Sequence, residues 1–355
     1  MSVVGGVVVA ICSLYRCFPS GIDVDTTLKA NYLHTFDLSL GYPAQTINVA
    51  LDLSSSDFWV FGTIGTLGST QSSQIKSGLF NTGATDQIYV PEIPINQTSY
   101  YYQWNYEDDF KVQVQQVRTS LQISGISLGI PYIGINKNHS LLTAFIVQSS
   151  GLFGIQRNYY ANTISMNANV DSILTLYTPR LPKTRGRLVT GNISLPECGA
   201  KFISYPLIGR DTNLTRYFAF SSPKQSNKQI TISTTTSFIT VDSATYKQLE
   251  KAVGPIWDRI HDPELNKPQR SHKLVECKNR KNAPTIEVGD ANAGILEISG
   301  KDYIRRTTSG YCIFKVREQT AKDQHWILGY PFLKNYCIQI DLYRQKVAFA
   351  STNNN

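Results

Sequence analysis

The stretch Leu51-Asp52-Leu53-Ser54-Ser55-Ser56-Asp57-Phe58-Trp59-Val60 sets a carboxylate at the end of an apolar run and follows it with small hydroxyl residues before apolar residues resume. That order predicts a strand, a tight polar turn and a second strand. About half a chain later the order returns in Ile230-Thr231-Ile232-Ser233-Thr234-Thr235-Thr236-Ser237-Phe238-Ile239, with Ser233 where the first copy has Asp52. Each turn is followed at a distance by an apolar pair and a glycine, Leu152-Phe153-Gly154 and Ile327-Leu328-Gly329. Two such pairs in the same order form an internal repeat, which predicts two similar lobes.

Length and composition agree with that reading. The chain has 355 residues, enough for roughly two domains of about 150 residues, each with its own core. Aromatic residues make up 11%, with 20 Tyr, and charged residues only 17%. Gly, Pro, Ser and Thr recur throughout, a profile of short strands and turns that predicts an all-β class. The formal net charge is +8, but the Lys and Arg are scattered. The densest basic stretch, Lys267 to Lys281, contains Pro, His and Cys without interleaved aromatics, so it reads as a solvated loop and no nucleic-acid partner is implied. The five histidines, His34, His139, His261, His272 and His325, show no ligand spacing with one another or with cysteine. No metal and no cofactor is expected.

Residues 3 to 14 form an apolar run of signal-peptide length, too short to span a bilayer, although no positive residue precedes it. A truncated N-terminus is the alternative reading. Four Asn-x-Ser/Thr acceptors, at Asn96, Asn138, Asn192 and Asn213, favour a secretory route with glycosylation. The six cysteines agree with an oxidising compartment.

Taken together, the two turns and their glycine strands resemble the pepsin-like aspartic peptidases (peptidase A1), over roughly residues 29 to 351. Further similar segments are Leu40-Gly41-Tyr42-Pro43-Ala44-Gln45, Gly191-Asn192 with Cys198-Gly199, and Asp341-Leu342 followed by Val347-Ala348-Phe349-Ala350 as a last hairpin. The resemblance implies a bilobed all-β fold of two β-barrel-like lobes, a central inter-lobe sheet and a few short helices. The expected division is a leader and N-terminal segment over 1–28, an N-terminal lobe over 29–200 with the Asp52 turn and a flap, and a C-terminal lobe over 201–355 with the Ser233 turn. The first strand is expected near Tyr32, with no basic propeptide between leader and strand. In the family each apolar-apolar-Gly strand threads past its lobe's active turn, where the backbones approach closely enough to require glycine. The resemblance also implies a Cys277–Cys312 disulfide in the C-terminal lobe, and Cys198 with Cys337 as the other pair. A buried free thiol is the alternative for Cys198, and Cys12 and Cys17 leave with the signal or pair locally.

The family's chemistry rests on two carboxylates that share one proton, one acting as base on a water and the other as acid to the scissile carbonyl. Here Asp52 is retained and Ser233 replaces the second aspartate. A serine hydroxyl hydrogen-bonds but does not ionise in this pH range, so it carries no half of a dyad. Asp242 is the rival second aspartate. Its place ahead of a helical pattern over 243–253, stopped by Gly254-Pro255, reads better as a helix N-cap. In the family each turn's threonine also reaches across to the other lobe's backbone, and each glycine leaves room for its amide. Thr234 keeps the threonine's role, Leu53 loses it, and Ser54 and Thr235 each place a Cβ where the family has none. Ser55 and Trp59 match residues that hold the first aspartate and pack beneath the flap, with plain core support as the alternative. The flap corresponds to Tyr101 through Phe110, with Tyr106 or a neighbour as its tyrosine, but three acidic residues follow where the family has glycine.

The expectation is a secreted or endolysosomal glycoprotein, monomeric and without a membrane span, that binds an extended peptide or protein loop in its inter-lobe cleft without cleaving it. Two alternatives stand beside it. One is a weak or acid-active aspartic endopeptidase using Asp52; the other is a structural or decoy glycoprotein whose cleft is vestigial.

Overall fold

The structure, a computed structural model, describes residues 21–29, 32–54, 58–61, 101–105, 111–128, 132–136, 149–155, 173–191, 193–208, 218–225, 228–254, 257–259, 272–307, 312–319, 325–341 and 343–353. Its architecture is all-β and bilobed, of the pepsin type, with short helices set between strands. Period-2 burial drives it. In Asp23–Leu28 the residues Val24, Thr26 and Leu28 point inward while Asp23, Asp25 and Thr27 face out.

The sequence repeat is a repeat of strand topology. In the first half, Gly151–Gly154 runs parallel to Gln45–Asp52, with Gly154 opposite Asp52, and antiparallel to Phe58–Phe61. Phe58–Phe61 in turn pairs in parallel with Tyr132–Asn136. In the second half, Trp326–Leu328 runs parallel to Lys228–Ile232 and antiparallel to Ile239–Val241, which pairs in parallel with Val316–Glu318. Both repeated turns therefore lie between two strands that flank a third, central one. Gly329, directly after the second central strand, has no room for a side chain: a Cβ there would meet the Phe238 and Thr236 carbonyl oxygens at 2.4 and 2.5 Å.

The two halves join through an antiparallel sheet that draws strands from both. Ile173–Tyr177 pairs with Arg185–Thr190 on one side and with Tyr336–Asp341 on the other. Lys346–Ser351 closes the last hairpin and pairs with Ile203–Pro206. Asp23–Leu28 pairs with Arg185–Thr190 at the other side and leads into His34–Leu40.

The first described strand is thus Asp23–Leu28 and not one beginning near Tyr32, so the end of the 1–28 leader and N-terminal segment is part of the inter-lobe sheet. The reason is long-range. Asp23 and Asp25, which weaken the strand signal locally, form two-pronged ion pairs with Arg187 and Arg185 on the neighbouring strand.

Disulfides join Cys198 to Cys337 and Cys277 to Cys312. The first sits in a small apolar cluster with Tyr177, Val189 and Leu195 beneath the inter-lobe sheet. The second ties the 3-10 turn Cys277–Lys281 to the strand Cys312–Phe314.

Candidate functional site

The two turns meet in the interior. Asp52 closes the strand Gln45–Asp52 and is fully buried, as is Ser233, which directly follows Lys228–Ile232. Each lobe holds its turn through the central strand: the Ile155 amide donates to the Asp52 carbonyl at 3.1 Å, and the Ser233 amide donates to the Leu328 carbonyl at 3.1 Å.

Thr234 fastens one turn to the other. Its hydroxyl donates to the Leu51 carbonyl at 2.7 Å and accepts from the Leu53 amide at 3.0 Å, with all three residues buried. Leu53 stands at the related position of the first turn and turns its side chain into the main apolar core. A leucine has no hydroxyl to return the bond. The clamp therefore has one arm, supplied by the second lobe.

A line of polar groups crosses between the turns. The Ser54 amide and hydroxyl both donate to Asp52 Oδ1, at 2.7 and 2.5 Å. The Ser233 hydroxyl donates to Ser54 Oγ at 3.4 Å, stands 3.0 Å from Thr235 Oγ1, and accepts from the Thr235 amide at 3.3 Å. Around the turns, Trp59 is buried on Phe58–Phe61 with its ring edge-on to Phe61, a core position, and lies opposite Leu152 of the central strand.

Asp242 stands apart from this line. Its Oδ1 accepts from the Thr245 amide at 3.0 Å and caps the helix Ser243–Val253, and its Oδ2 accepts from the Trp326 indole at 2.9 Å. Burial pushes its carboxyl up, but the bonds from Thr245 and Trp326 and the charge of Lys228 outweigh it and hold the group below the usual carboxylate value. None of these partners belongs to either turn.

Tyr101–Asn105 and Lys111–Arg118, in the stretch expected to hold the flap, pair as antiparallel strands with Asn105 opposite Lys111. Tyr106, Ser55, the acceptors Asn96, Asn138, Asn192 and Asn213, and Cys12 and Cys17 lie outside the described residues. Among the described residues there is no group of three or more His, Cys, Asp or Glu that could hold a metal ion, and no helix is long and apolar enough to cross a membrane.

Residues 211–352 match the eukaryotic aspartyl protease family. The match holds the Ser233 turn, its glycine strand, the Cys277–Cys312 disulfide and the last hairpin. The first turn precedes it and joins the comparison through the repeated strand topology above. No curated protein matches the chain.

Sequence reasoning missed two features of the site. Ser54 appeared only as an extra Cβ, although a hydroxyl two residues after an aspartate is well placed to bond back to that carboxylate. The Trp326 indole on Asp242 carries no local signal, because the two residues meet only through the pairing of Ile239–Val241 with Trp326–Leu328.

Proposed function

We propose that this chain is a non-cleaving relative of the aspartic peptidases that binds an extended peptide or protein loop between its lobes. Residues 29–200 and 201–355 would supply the two walls. The observation that carries the reading is Ser233, whose hydroxyl stands on the second turn where the family's chemistry needs a carboxylate. A water attacking a peptide carbonyl must lose a proton to one group while another protonates the carbonyl or leaving amine. Asp52 can serve one of those roles at a time, and Ser233 has no proton to exchange near neutral or acidic pH. Losing one such partner costs on the order of 10²- to 10⁴-fold in rate, and more when the pair works as a unit. The strand-lined turns still suit backbone-to-backbone recognition of an extended chain. The two disulfides support a secretory or endolysosomal location.

The test is digestion of a denatured protein from acid to neutral pH by the secreted, purified chain, beside Asp52→Asn. No cleavage is expected. Cleavage that disappears in Asp52→Asn would overturn the reading in favour of a weak aspartic endopeptidase.

A further inference from the structure

We propose that the Ser54 hydroxyl occupies the position a nucleophilic water would need, and so makes the cleft select ordinary extended peptides over tetrahedral, hydroxyl-bearing ones. This rests on the reading of the cleft as a peptide-binding site.

The geometry is a directed chain of hydroxyls. A carboxylate only accepts, so the Ser54 proton goes to Asp52 Oδ1 at 2.5 Å. Ser54 Oγ then has a lone pair for the Ser233 hydroxyl at 3.4 Å. Ser233 Oγ in turn accepts from the Thr235 amide at 3.3 Å, and its separation of 3.0 Å from Thr235 Oγ1 suits a second accepted bond. Every proton points toward Asp52, the arrangement in which successive bonds polarise and strengthen one another. A water activated by this site would have to donate to Asp52 and lie within reach of residue 233. Ser54 Oγ makes both contacts itself.

Two consequences follow from the attachment of that hydroxyl to the backbone. It does not leave when a peptide arrives, and it does not add to a carbonyl as a free water does. A peptide carrying a tetrahedral carbon gains affinity when its hydroxyl displaces a mobile water and takes over that water's bonds. Against Ser54 such a group finds its place filled. A planar peptide bond asks for no such place.

The experiment has two arms. The first measures binding of two matched peptides, one with a central statine-type hydroxyl and one with a methylene in its stead, to the full chain and to Ser54→Ala and Ser54→Gly. The unsubstituted protein is expected to bind the two within about twofold, and Ser54→Ala to prefer the hydroxyl-bearing peptide by about tenfold, the worth of one hydrogen bond to a charged group. Ser54→Ala retains the Cβ, so a shift there reports the hydroxyl and not the backbone. Tenfold preference already present in the unsubstituted protein overturns the proposal. The second arm is a crystal structure of the unsubstituted chain and of Ser54→Gly. An ordered water within 3.2 Å of both Asp52 and Ser233 is expected only in Ser54→Gly, and such a water in the unsubstituted protein overturns the proposal. This arm reads Ser54 whether or not the cleft takes a peptide, so its result is separable from failure of the functional reading.

Discussion

The hydroxyl of Thr234 donates to the carbonyl of Leu51 at 2.7 Å, a bond between residues 183 apart in the chain, and the leucine side chain at position 53 has no hydroxyl with which to return it. The Thr234 hydroxyl therefore fastens the backbone of the first turn to the second lobe, beside the longer bond from Ser233 to Ser54. The same threonine oxygen accepts from the Leu53 amide, so two buried backbone groups depend on it.

Thr234→Val should expose that dependence. Valine fills nearly the same volume but leaves the Leu51 carbonyl and the Leu53 amide without their bonds in a buried place. Each such group costs about 1–3 kcal/mol, so a loss of about 2–6 kcal/mol is expected. Thr234→Ser keeps the hydroxyl and should lose less than about 1.5 kcal/mol. Urea unfolding of the three proteins checks this, and equal losses in the two variants would show that the hydroxyl matters little.

Asp242 should prove a stabilising residue and not a chemical one. Asp242→Ala removes the helix cap and leaves the buried Trp326 indole without its acceptor, for a combined loss of about 2–3 kcal/mol. Asp242→Asn keeps an acceptor and should lose less. The sign with pH follows from its lowered carboxyl: its contribution is present above the ordinary aspartate range and fades as pH falls through the folded value. Peptide binding by a folded Asp242→Asn chain should be unchanged, and a large loss of binding there would return Asp242 to the site.

How much of this was legible in the sequence depended on how local each signal is. The two turns, their glycine strands and the helix 243–253 with its cap are written within a few residues of one another, and the strand repeat of the structure follows them. Asp23–Leu28 was not legible as a strand because the arginines that neutralise its two aspartates lie about 160 residues on. His34 gave no warning either. Its position on the strand His34–Leu40 is fully buried beside Thr26, a fact of packing and not of pattern.

That histidine makes a pH prediction. Burial lowers its pKa to about 4, against an ordinary value near 6.5. The folded state refuses a proton that the unfolded state accepts, so stability is full above about 6.5 and falls as pH drops from there toward 4. The span corresponds to roughly 3 kcal/mol at most. His34→Gln, which can retain a bond to Thr26, should remove about one proton's worth of slope in that window. Urea midpoints at intervals from pH 8 to 4 for both proteins check it, and parallel curves would show that other groups set the acid sensitivity.

The two disulfides should differ in weight. Cys198–Cys337 closes 139 residues of chain and Cys277–Cys312 only 35, so on loop entropy the first contributes about 5 kcal/mol and the second about 4. Cys198 and Cys337 also lie in an apolar cluster under the inter-lobe sheet, where Ser replacements would bury hydroxyls. The double replacement Cys198→Ser with Cys337→Ser should lower the unfolding midpoint further than Cys277→Ser with Cys312→Ser. The opposite order would place the weaker link between the lobes.

Returning a carboxylate to the second turn should not by itself return hydrolysis. Ser233→Asp would set a second acid opposite Asp52, but Ser54 Oγ, bonded to Asp52 Oδ1 at 2.5 Å, still lies between them. The two carboxylates could share a proton only around that hydroxyl, and a water would have nowhere to stand in contact with both. Ser233→Asp alone is therefore expected to stay below detection in acid digestion of a denatured protein, whereas Ser233→Asp with Ser54→Gly opens the place and supplies the partner. A gain of at least about tenfold over the single variant is the expected result, a small part of the 10²- to 10⁴-fold that a positioned acid or base contributes, because Leu53 still leaves the clamp with one arm. Equal activity in the single and double variants would mean that the missing carboxylate, and not the added hydroxyl, is the whole of the barrier.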